Sequence, residues 1–232
     1  MKRRVLLVRH DDGPNDDRIT TYCRHRGFIA DIRRPFLNDS LGTLSEDLAA
    51  VVFYGGKYNA YDTDVHPFLN AEYEMMGKAL DAGLPVLGIC QGAQMLAWHQ
   101  GAWAGAPDHG QHEFGLYEIT PTDEAGDFLT GPLYVTQSHY HTFELPEGAV
   151  HLARSEYFEN QAFRLGDKTY GLQFHPEQIA AGLRRWQKAD IGLAGKPGAQ
   201  SIDEQNELLA QHEADQARWF LRFLDRFFAP TA

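Results

Sequence analysis

The stretch Leu84-Pro85-Val86-Leu87-Gly88-Ile89-Cys90-Gln91-Gly92 decides the fold, because an apolar run ends there in a cysteine between two glycines. The apolar residues predict a short buried strand, and Ala93, Leu96 and Ala97 follow at helical spacing. Cys90 is therefore predicted to lie in a tight turn between a strand and a helix. Glycines at positions 88 and 92 would let neighbouring backbone approach closely and would tolerate strained dihedral angles.

Cys90 is a candidate nucleophile because of this predicted position at the start of a helix. Unpaired backbone N–H groups and the helix dipole favour a thiolate at such a site. A free cysteine is also a common small residue of protein cores, so the turn alone leaves both interpretations open.

The segment Tyr170-Gly171-Leu172-Gln173-Phe174-His175-Pro176-Glu177 supplies the groups that a cysteine nucleophile needs. Alternating apolar residues predict a strand, and Pro176 favours a chain that leaves a sheet edge. The imidazole of His175 could accept the thiol proton, and the carboxylate of Glu177 could fix the tautomer of that imidazole. A His-Pro turn with an exposed glutamate is the alternative for this segment taken alone.

Composition indicates a soluble catalytic unit. A chain of 232 residues with 43% hydrophobic content can bury one large core, so residues 1–232 are predicted to form one domain. A formal net charge of −11 argues against general nucleic-acid binding. No apolar run reaches the roughly 20 residues of a membrane span, and the opening segment does not fit a signal peptide. Two cysteines are too few for a disulfide framework. We therefore expect a cytoplasmic protein.

Strand and helix patterns alternate along the first ninety residues. Strands are predicted at 5–8, 28–32, 50–54 and 85–89, and helices near 15–26 and 67–82. This alternation predicts an α/β fold with a mostly parallel sheet flanked by helices and with ligands at the carboxyl ends of the strands. Short segments separated by turns between 115 and 174 predict a small antiparallel extension. Gly55-Gly56 and Cys90 each follow a predicted strand, so both can face the same crevice.

The C-terminal stretch predicts one long helix. Ser201 and Glu204 form a candidate capping box, and the apolar residues from Leu208 to Phe227 fall on one face. Such a face more often belongs to the core, although it could also serve a homodimer.

No metal site is predicted. His139 and His141 have a spacing that would place both on one face of a strand, but zinc needs three or four converging ligands. The rim of a polar pocket is the favoured interpretation of these two histidines.

The segments 88–94 and 171–177 resemble the class I glutamine amidotransferases, most closely the stand-alone proteins similar to the glutaminase domain of GMP synthase. The resemblance spans nearly the whole chain and implies the flavodoxin-like fold of that family, with Cys90, His175 and Glu177 as a Cys-His-Glu triad. Further matching pieces are 54–56, 65–69, 113–115, 138–139, 142–146 and 160–163.

The same resemblance implies roles for the surrounding residues. Backbone N–H groups of Gly56 and Gln91 would form the oxyanion hole. Gln94 would hold the substrate amide, and the loop Ser138-His139-Tyr140 would grip the amino-acid end of glutamine.

Three departures from the family pattern lie next to the expected pocket. Lys57 stands where the family often has proline, Gln91 where it often has leucine, and Tyr140-His141 where relatives commonly have Gly-Asp. Each change adds bulk or polarity. Lys57 and Tyr140 are therefore candidate contacts for a substrate larger than glutamine.

The implied activity is hydrolysis of the side-chain amide of glutamine through a γ-glutamyl thioester, without a cofactor. The chain has no phosphate-cradling glycine loop, so a separate synthetase subunit would accept the ammonia. Two alternatives remain open. The protein could be a stand-alone hydrolase of a larger γ-glutamyl compound, or a non-catalytic binding or regulatory member of the fold.

Overall fold

The computed structural model describes residues 3–189, 191 and 193–229. The strands are β1 (Arg4–Val8), β2 (Ile29–Arg33), β3 (Leu48–Phe53), β4 (Val86–Ile89), β5 (Ala104–Gly105), β6 (Glu113–Pro121), β7 (Leu133–His139), β8 (Thr142–Phe143), β9 (Val150–Ser155), β10 (Ala162–Leu165) and β11 (Thr169–Leu172). The helices are α1 (Arg18–Arg26), α2 (Phe68–Asp81), α3 (Gln91–His99), α4 (Ala180–Ala189) and α5 (Ile202–Phe227). The strands and helices predicted in the first ninety residues are all present, with ends shifted by at most three residues.

Nine strands form one mixed sheet in the order β2-β1-β3-β4-β11-β10-β9-β6-β7. The first five strands of this order run parallel to one another, and from β11 onward each strand is antiparallel to the next. Strands β5 and β8 form a separate antiparallel pair. This arrangement confirms the predicted parallel sheet with an antiparallel extension.

The strand before His175 lies in the middle of the sheet, so the expectation of a sheet edge at Pro176 is wrong. Strand β11 pairs in parallel with β4 on one side and antiparallel with β10 on the other. The proline is accommodated because β11 already ends at Leu172. The chain therefore leaves the sheet at the carboxyl end of a central strand, beside the end of β4.

Alternation along β1 shows how the sheet is covered on both faces. Val5 and Leu7 pack into one apolar cluster with residues of α1 and α5. Leu6 and Val8 pack into a second cluster with residues of α2 and α3 on the opposite face. All six residues of β3 are buried, as expected of a parallel strand covered from both sides.

Helix α1 has clear sequence signals at both ends. The Asp17 carboxylate accepts hydrogen bonds from the backbone N–H groups of Ile19 and Thr20, at 2.9 and 3.0 Å. The helix ends at Gly27, whose φ of 76° is left-handed. This start places Arg18 in the first turn of the helix.

The two C-terminal helices differ in how well the sequence predicts them. The Ser201 hydroxyl accepts a hydrogen bond from the Glu204 N–H at 3.3 Å, and the apolar face of α5 is buried in the core. Helix α4 was not predicted, because its short pattern offers only Leu183 and Trp186 as large apolar residues and carries a glycine inside. Within the described residues, no helix is both long and apolar enough to cross a membrane.

Candidate active site

Cys90 lies in a tight turn between β4 and α3, as predicted. Its φ of 51° and ψ of −107° are a conformation that costs a non-glycine residue about 1–3 kcal/mol. Its backbone N–H donates to the Leu172 carbonyl at 2.7 Å, which ties the turn to the end of β11. The side chain is almost buried, and Sγ lies 3.9 Å from the Ser138 carbonyl oxygen.

Glycines 88 and 92 are required by close backbone contacts around this turn. A Cβ atom on Gly88 would lie 2.4 Å from the Gly92 carbonyl oxygen. A Cβ atom on Gly92 would lie 2.1 Å from the Phe53 carbonyl oxygen, at the end of β3. The turn therefore packs directly on the neighbouring strand.

We expect Gly92→Ala to lower the free energy of unfolding by about 3 kcal/mol or more, because neither backbone segment can move away cheaply. Chemical denaturation would measure the change. Gly131→Ala is the matched control, since nothing lies within 4 Å of a Cβ atom there and its φ is not left-handed. Equal stability of the two variants would contradict the role assigned to the close contact.

His175 and Glu177 form a buried pair beyond the end of β11. His175 Nδ1 lies 2.8 Å from Glu177 Oε1, and the His175 backbone N–H donates to the Thr136 carbonyl at 2.8 Å. A Cβ atom on Gly55 would lie 2.5 Å from His175 Cε1 and 3.2 Å from Cys90 Cβ. The backbone of Gly55 therefore packs against both side chains, and the structure brings Cys90, His175 and Glu177 together.

The electrostatics of this pair favour a protonated imidazole. Burial disfavours the charged form of His175, but the negative charges of Glu177 and Cys90 outweigh it and raise the pKa of His175 to about 10. Nδ1–H donates to Glu177, so Nε2 is the nitrogen left for the thiol.

Two residues that the sequence analysis did not identify hold the His175 segment. The Arg18 backbone N–H donates to the Glu177 carbonyl and its Nη1 to the Pro176 carbonyl, both at 2.9 Å, and Nη1 also donates to the Gln178 carbonyl. The Trp186 ring packs edge-on against the His175 ring, with 4.9 Å between ring centres. The sequence around Arg18 contains no pattern that indicates this role, because the carbonyls that Arg18 binds are about 160 residues away in sequence.

Gly56 and Gln91, the predicted oxyanion-hole residues, also lie together. A Cβ atom on Gly56 would lie 2.5 Å from Gln91 Oε1. The Gln91 side chain is buried, and Oε1 accepts a hydrogen bond from the Tyr58 backbone N–H at 2.9 Å. The expectation that this side chain adds polarity to the pocket is therefore wrong, because it binds the loop that follows β3.

Gln94 and Ser138 lie at the site, whereas the His139 ring turns into the protein. Gln94 Nε2 donates to Gln173 Oε1 at 3.1 Å and to the His141 carbonyl at 3.2 Å. His139 Nε2 lies 3.0 Å from the buried carboxylate of Glu113, and Nδ1 lies 2.9 Å from the His141 carbonyl oxygen. The His139 ring thus supports the 138–141 loop.

The predicted pairing of two histidines on one strand face is wrong. Strand β7 ends at His139, so His141 lies beyond it in the loop before β8. Among the residues that the structure describes, no group of three or more His, Cys, Asp or Glu side chains is arranged to hold a metal ion.

Tyr140 and Lys57 occupy different surroundings. The Tyr140 side chain is exposed and contacts the rings of His141 and His112, with ring centres 4.5 and 5.2 Å apart. Lys57 Nζ lies 5.8 Å from the centre of the Tyr58 ring, at a groove of about 530 Å³. Their roles as substrate contacts stay predictions.

The sequence profile of the class I glutamine amidotransferases matches residues 15–183, which contain all three proposed triad residues. The chain belongs to this family. It is 38% identical over 142 residues to the glutamine-hydrolyzing GMP synthase of Porphyromonas gingivalis, covering 58% of this chain and 26% of that protein. The corresponding enzyme of Campylobacter jejuni is 32% identical over 180 residues, covering 76% and 34%. The chain thus spans about a quarter to a third of the length of these relatives.

Other family members match along their whole length. The glutamine amidotransferase-like protein YfeJ of Salmonella typhimurium is 27% identical over 237 residues, which cover 96% of each chain. A glutamine amidotransferase from Thermotoga maritima superposes with a TM-score of 0.86 at 28% identity, covering 99% of this chain and 100% of that one. One from Methylobacillus flagellatus gives 0.89 at 26% identity, covering 98% and 94%. The predicted family and fold class are confirmed.

Proposed function

We propose that this protein hydrolyses the side-chain amide of glutamine, or of a related γ-glutamyl compound, with Cys90 as nucleophile. The observation that carries the proposal is the contact of Gly55 with both Cys90 and the buried His175–Glu177 pair at the carboxyl ends of β3, β4 and β11. A cysteine in a strained turn beside an imidazole that a carboxylate orients is the arrangement expected of a thiol hydrolase.

The reaction begins when the Cys90 thiolate attacks the amide carbon and a carbon–sulfur bond forms. The amide oxygen takes the electron pair, and the backbone N–H groups of Gly56 and Gln91 stabilise the resulting oxyanion. The carbonyl then re-forms and the carbon–nitrogen bond breaks, while His175 Nε2–H protonates the departing nitrogen.

Water completes the cycle. His175 takes a proton from the water as its oxygen attacks the γ-glutamyl thioester, and glutamate leaves with regeneration of the thiolate. Glu177 accepts the Nδ1–H hydrogen bond and thereby holds the imidazole in place.

One activity screen tests this proposal directly. Purified protein is incubated with L-glutamine, γ-glutamyl amines and γ-glutamyl peptides, and released ammonia or amine is measured. Turnover of at least one of these amides that Cys90→Ala abolishes would support the proposal. No turnover of any of them, alone or with a candidate synthetase, would favour the non-catalytic alternative.

A separate synthetase subunit is the first proposed destination of the ammonia. The matched GMP synthases are named as glutamine-hydrolyzing, and this chain corresponds to only a part of them. The groups that activate an acceptor would then lie outside these 232 residues.

The cytoplasmic location, the single domain and the homodimer stay predictions.

A cluster of exposed aromatic rings supports the second candidate, a hydrolase of a larger γ-glutamyl compound. Three aromatic side chains are each just over 40% exposed, namely Tyr61, Trp98 and Tyr140. The Tyr61 ring contacts the Trp98 ring and the His141 ring, and the His141 ring contacts the Tyr140 ring. The His141 carbonyl accepts the Gln94 hydrogen bond, so the cluster borders the proposed substrate site. Exposed rings can pack against the part of a substrate that extends beyond the γ-amide.

We expect Tyr140→Gly to raise the rate of glutamine hydrolysis relative to that of a γ-glutamyl amide with a bulky amine, by about 3- to 10-fold, because the larger amine loses a ring contact worth about 0.5–1.5 kcal/mol. The ratio of kcat/KM values for the two substrates is the measurement. Tyr157→Gly is the matched control, since Tyr157 is similarly exposed but contacts Tyr117 instead. An unchanged ratio would remove the aromatic cluster from substrate recognition and leave the triad in place.

A further inference from the structure

A third buried His–Glu pair, besides His175–Glu177 and His139–Glu113, lies next to the loop that follows β3. His10 follows the end of β1, Glu72 lies on α2, and His10 Nε2 is 2.8 Å from Glu72 Oε2. Both side chains are completely buried. Neither residue belongs to the proposed triad. Burial of two charged groups costs free energy of desolvation, so the pair calls for an explanation.

Both ring nitrogens of His10 face hydrogen-bond acceptors. Nδ1 lies 3.1 Å from the Tyr54 carbonyl oxygen, and Nε2 faces the Glu72 carboxylate. With Glu72 ionised, both nitrogens must donate, which only the imidazolium form can do. Burial disfavours that form, but the Glu72 charge outweighs the burial and raises the pKa of His10.

The loop contacts both His10 and Gln91 at Gly56. A Cβ atom on Gly56 would lie 2.4 Å from His10 Cβ and 2.5 Å from Gln91 Oε1, so only glycine fits between these two side chains. His10 holds the Tyr54 carbonyl, and Gln91 holds the Tyr58 N–H. The loop is thus fixed on both sides of Gly56.

We propose that His10, Glu72 and Gln91 are positioning residues that hold the Gly56 N–H in the oxyanion hole. This inference rests on the proposed function, in which Gly56 stabilises the oxyanion. A donor in an oxyanion hole acts only when it lies about 2.7–3.1 Å from the developing charge, so a small loop displacement lowers kcat without preventing substrate binding.

The test uses two variants that remove the supports without leaving an unpaired buried charge. Gln91→Met keeps the side-chain length but loses the oxygen that accepts from Tyr58. The double variant His10→Phe/Glu72→Leu replaces the ion pair with apolar groups, a change that proteins often tolerate in stability. Gln205→Met is the matched control, because Gln205 is also a buried glutamine that binds backbone groups, in its case the carbonyls of Phe114 and Gln200.

We expect kcat for L-glutamine and for γ-glutamyl p-nitroanilide to fall about 10- to 100-fold in both variants, with KM changed by less than about 3-fold. Alkylation of Cys90 by iodoacetamide forms no oxyanion, so its rate should stay within about 2-fold of wild type. Hydrogen exchange of the backbone amides at 55–58 should become faster in both variants but not in Gln205→Met.

Unchanged exchange at 55–58 would overturn the proposal, whether or not the protein turns over either substrate. An unchanged kcat, or a kcat that falls in step with the alkylation rate, would also overturn it. Failure of the proposed function would give a different result, because the wild-type protein would then show no turnover that depends on Cys90. The hydrogen-exchange comparison would still decide whether His10, Glu72 and Gln91 hold the loop.

Discussion

Cys90→Ala should lose amide hydrolysis by about 10⁴-fold or more while the protein remains folded, because the variant lacks the only atom proposed to attack the substrate. Cys90→Ser should be nearly as inactive, since a hydroxyl beside the same imidazole is a much weaker nucleophile than a thiolate. Both replacements are small and leave the Cys90 N–H bond to the Leu172 carbonyl in place. Single-turnover release of amine, together with thermal unfolding, would measure activity and folding on the same samples.

Cys23→Ala is the control for loss of a thiol. Cys23 is fully buried in α1, and this burial, reinforced by the negative charge of Asp17, raises the pKa of its thiol to about 12. The Cys23 thiol therefore stays protonated and unreactive, and the variant should keep wild-type turnover. If an alkylating reagent modified Cys23 and stopped turnover while Cys90 remained free, the assignment of the nucleophile would be wrong.

The turn around Cys90 could be predicted from sequence because its determinants are local. Five residues, from Gly88 to Gly92, specify the end of a strand, a strained residue and the start of a helix. His175 and Glu177 are separated by one residue, so their hydrogen bond is also a short-range event. The parallel sheet could be predicted from the alternation of strand patterns with helix patterns. Its strands β1, β3 and β4 could be recognised because they are continuous apolar runs.

The residues that support the His175 segment and the loop after β3 could not be predicted, because they are brought together only by the sheet. Arg18 meets the Pro176 carbonyl across 158 positions, and His10 meets Glu72 across 62. Each of these side chains taken alone is compatible with an ordinary surface position. A local sequence pattern contains no information about such contacts, because they depend on the order of the strands in the sheet.

The errors have a common physical origin in side-chain direction and strand length. A two-residue spacing places two histidines on one face only while the strand continues, and β7 ends at the first of them, His139. Gln91 is polar and follows Cys90, but its amide oxygen accepts a hydrogen bond from the Tyr58 N–H instead of facing the pocket. Residue type predicted the chemistry that a side chain can do, whereas the backbone decided which partner it meets.

His175→Asn should lower kcat by about 10³-fold or more, because it removes the group proposed to protonate the departing nitrogen. Glu177→Gln should be at least about 10-fold less damaging, because the amide still occupies the position beside Nδ1 and orienting a base usually counts for less than being one. Steady-state kinetics of both variants would measure the difference. Wild-type rates in both would rule out the triad.

The pH dependence of stability gives His175→Asn a second readout that does not depend on substrate. The pKa of His175 is raised to about 10 in the folded protein, above its ordinary value near 6.5. A raised pKa means that the ion pair stabilises the fold fully below about pH 6.5 and that this contribution is lost as the pH rises through about 10. The unfolding free energy of wild type should therefore fall toward that of His175→Asn between these limits. A difference between the two proteins that stays constant from about pH 6 to pH 10.5 would show that His175 is not held as a buried cation by Glu177 and Cys90.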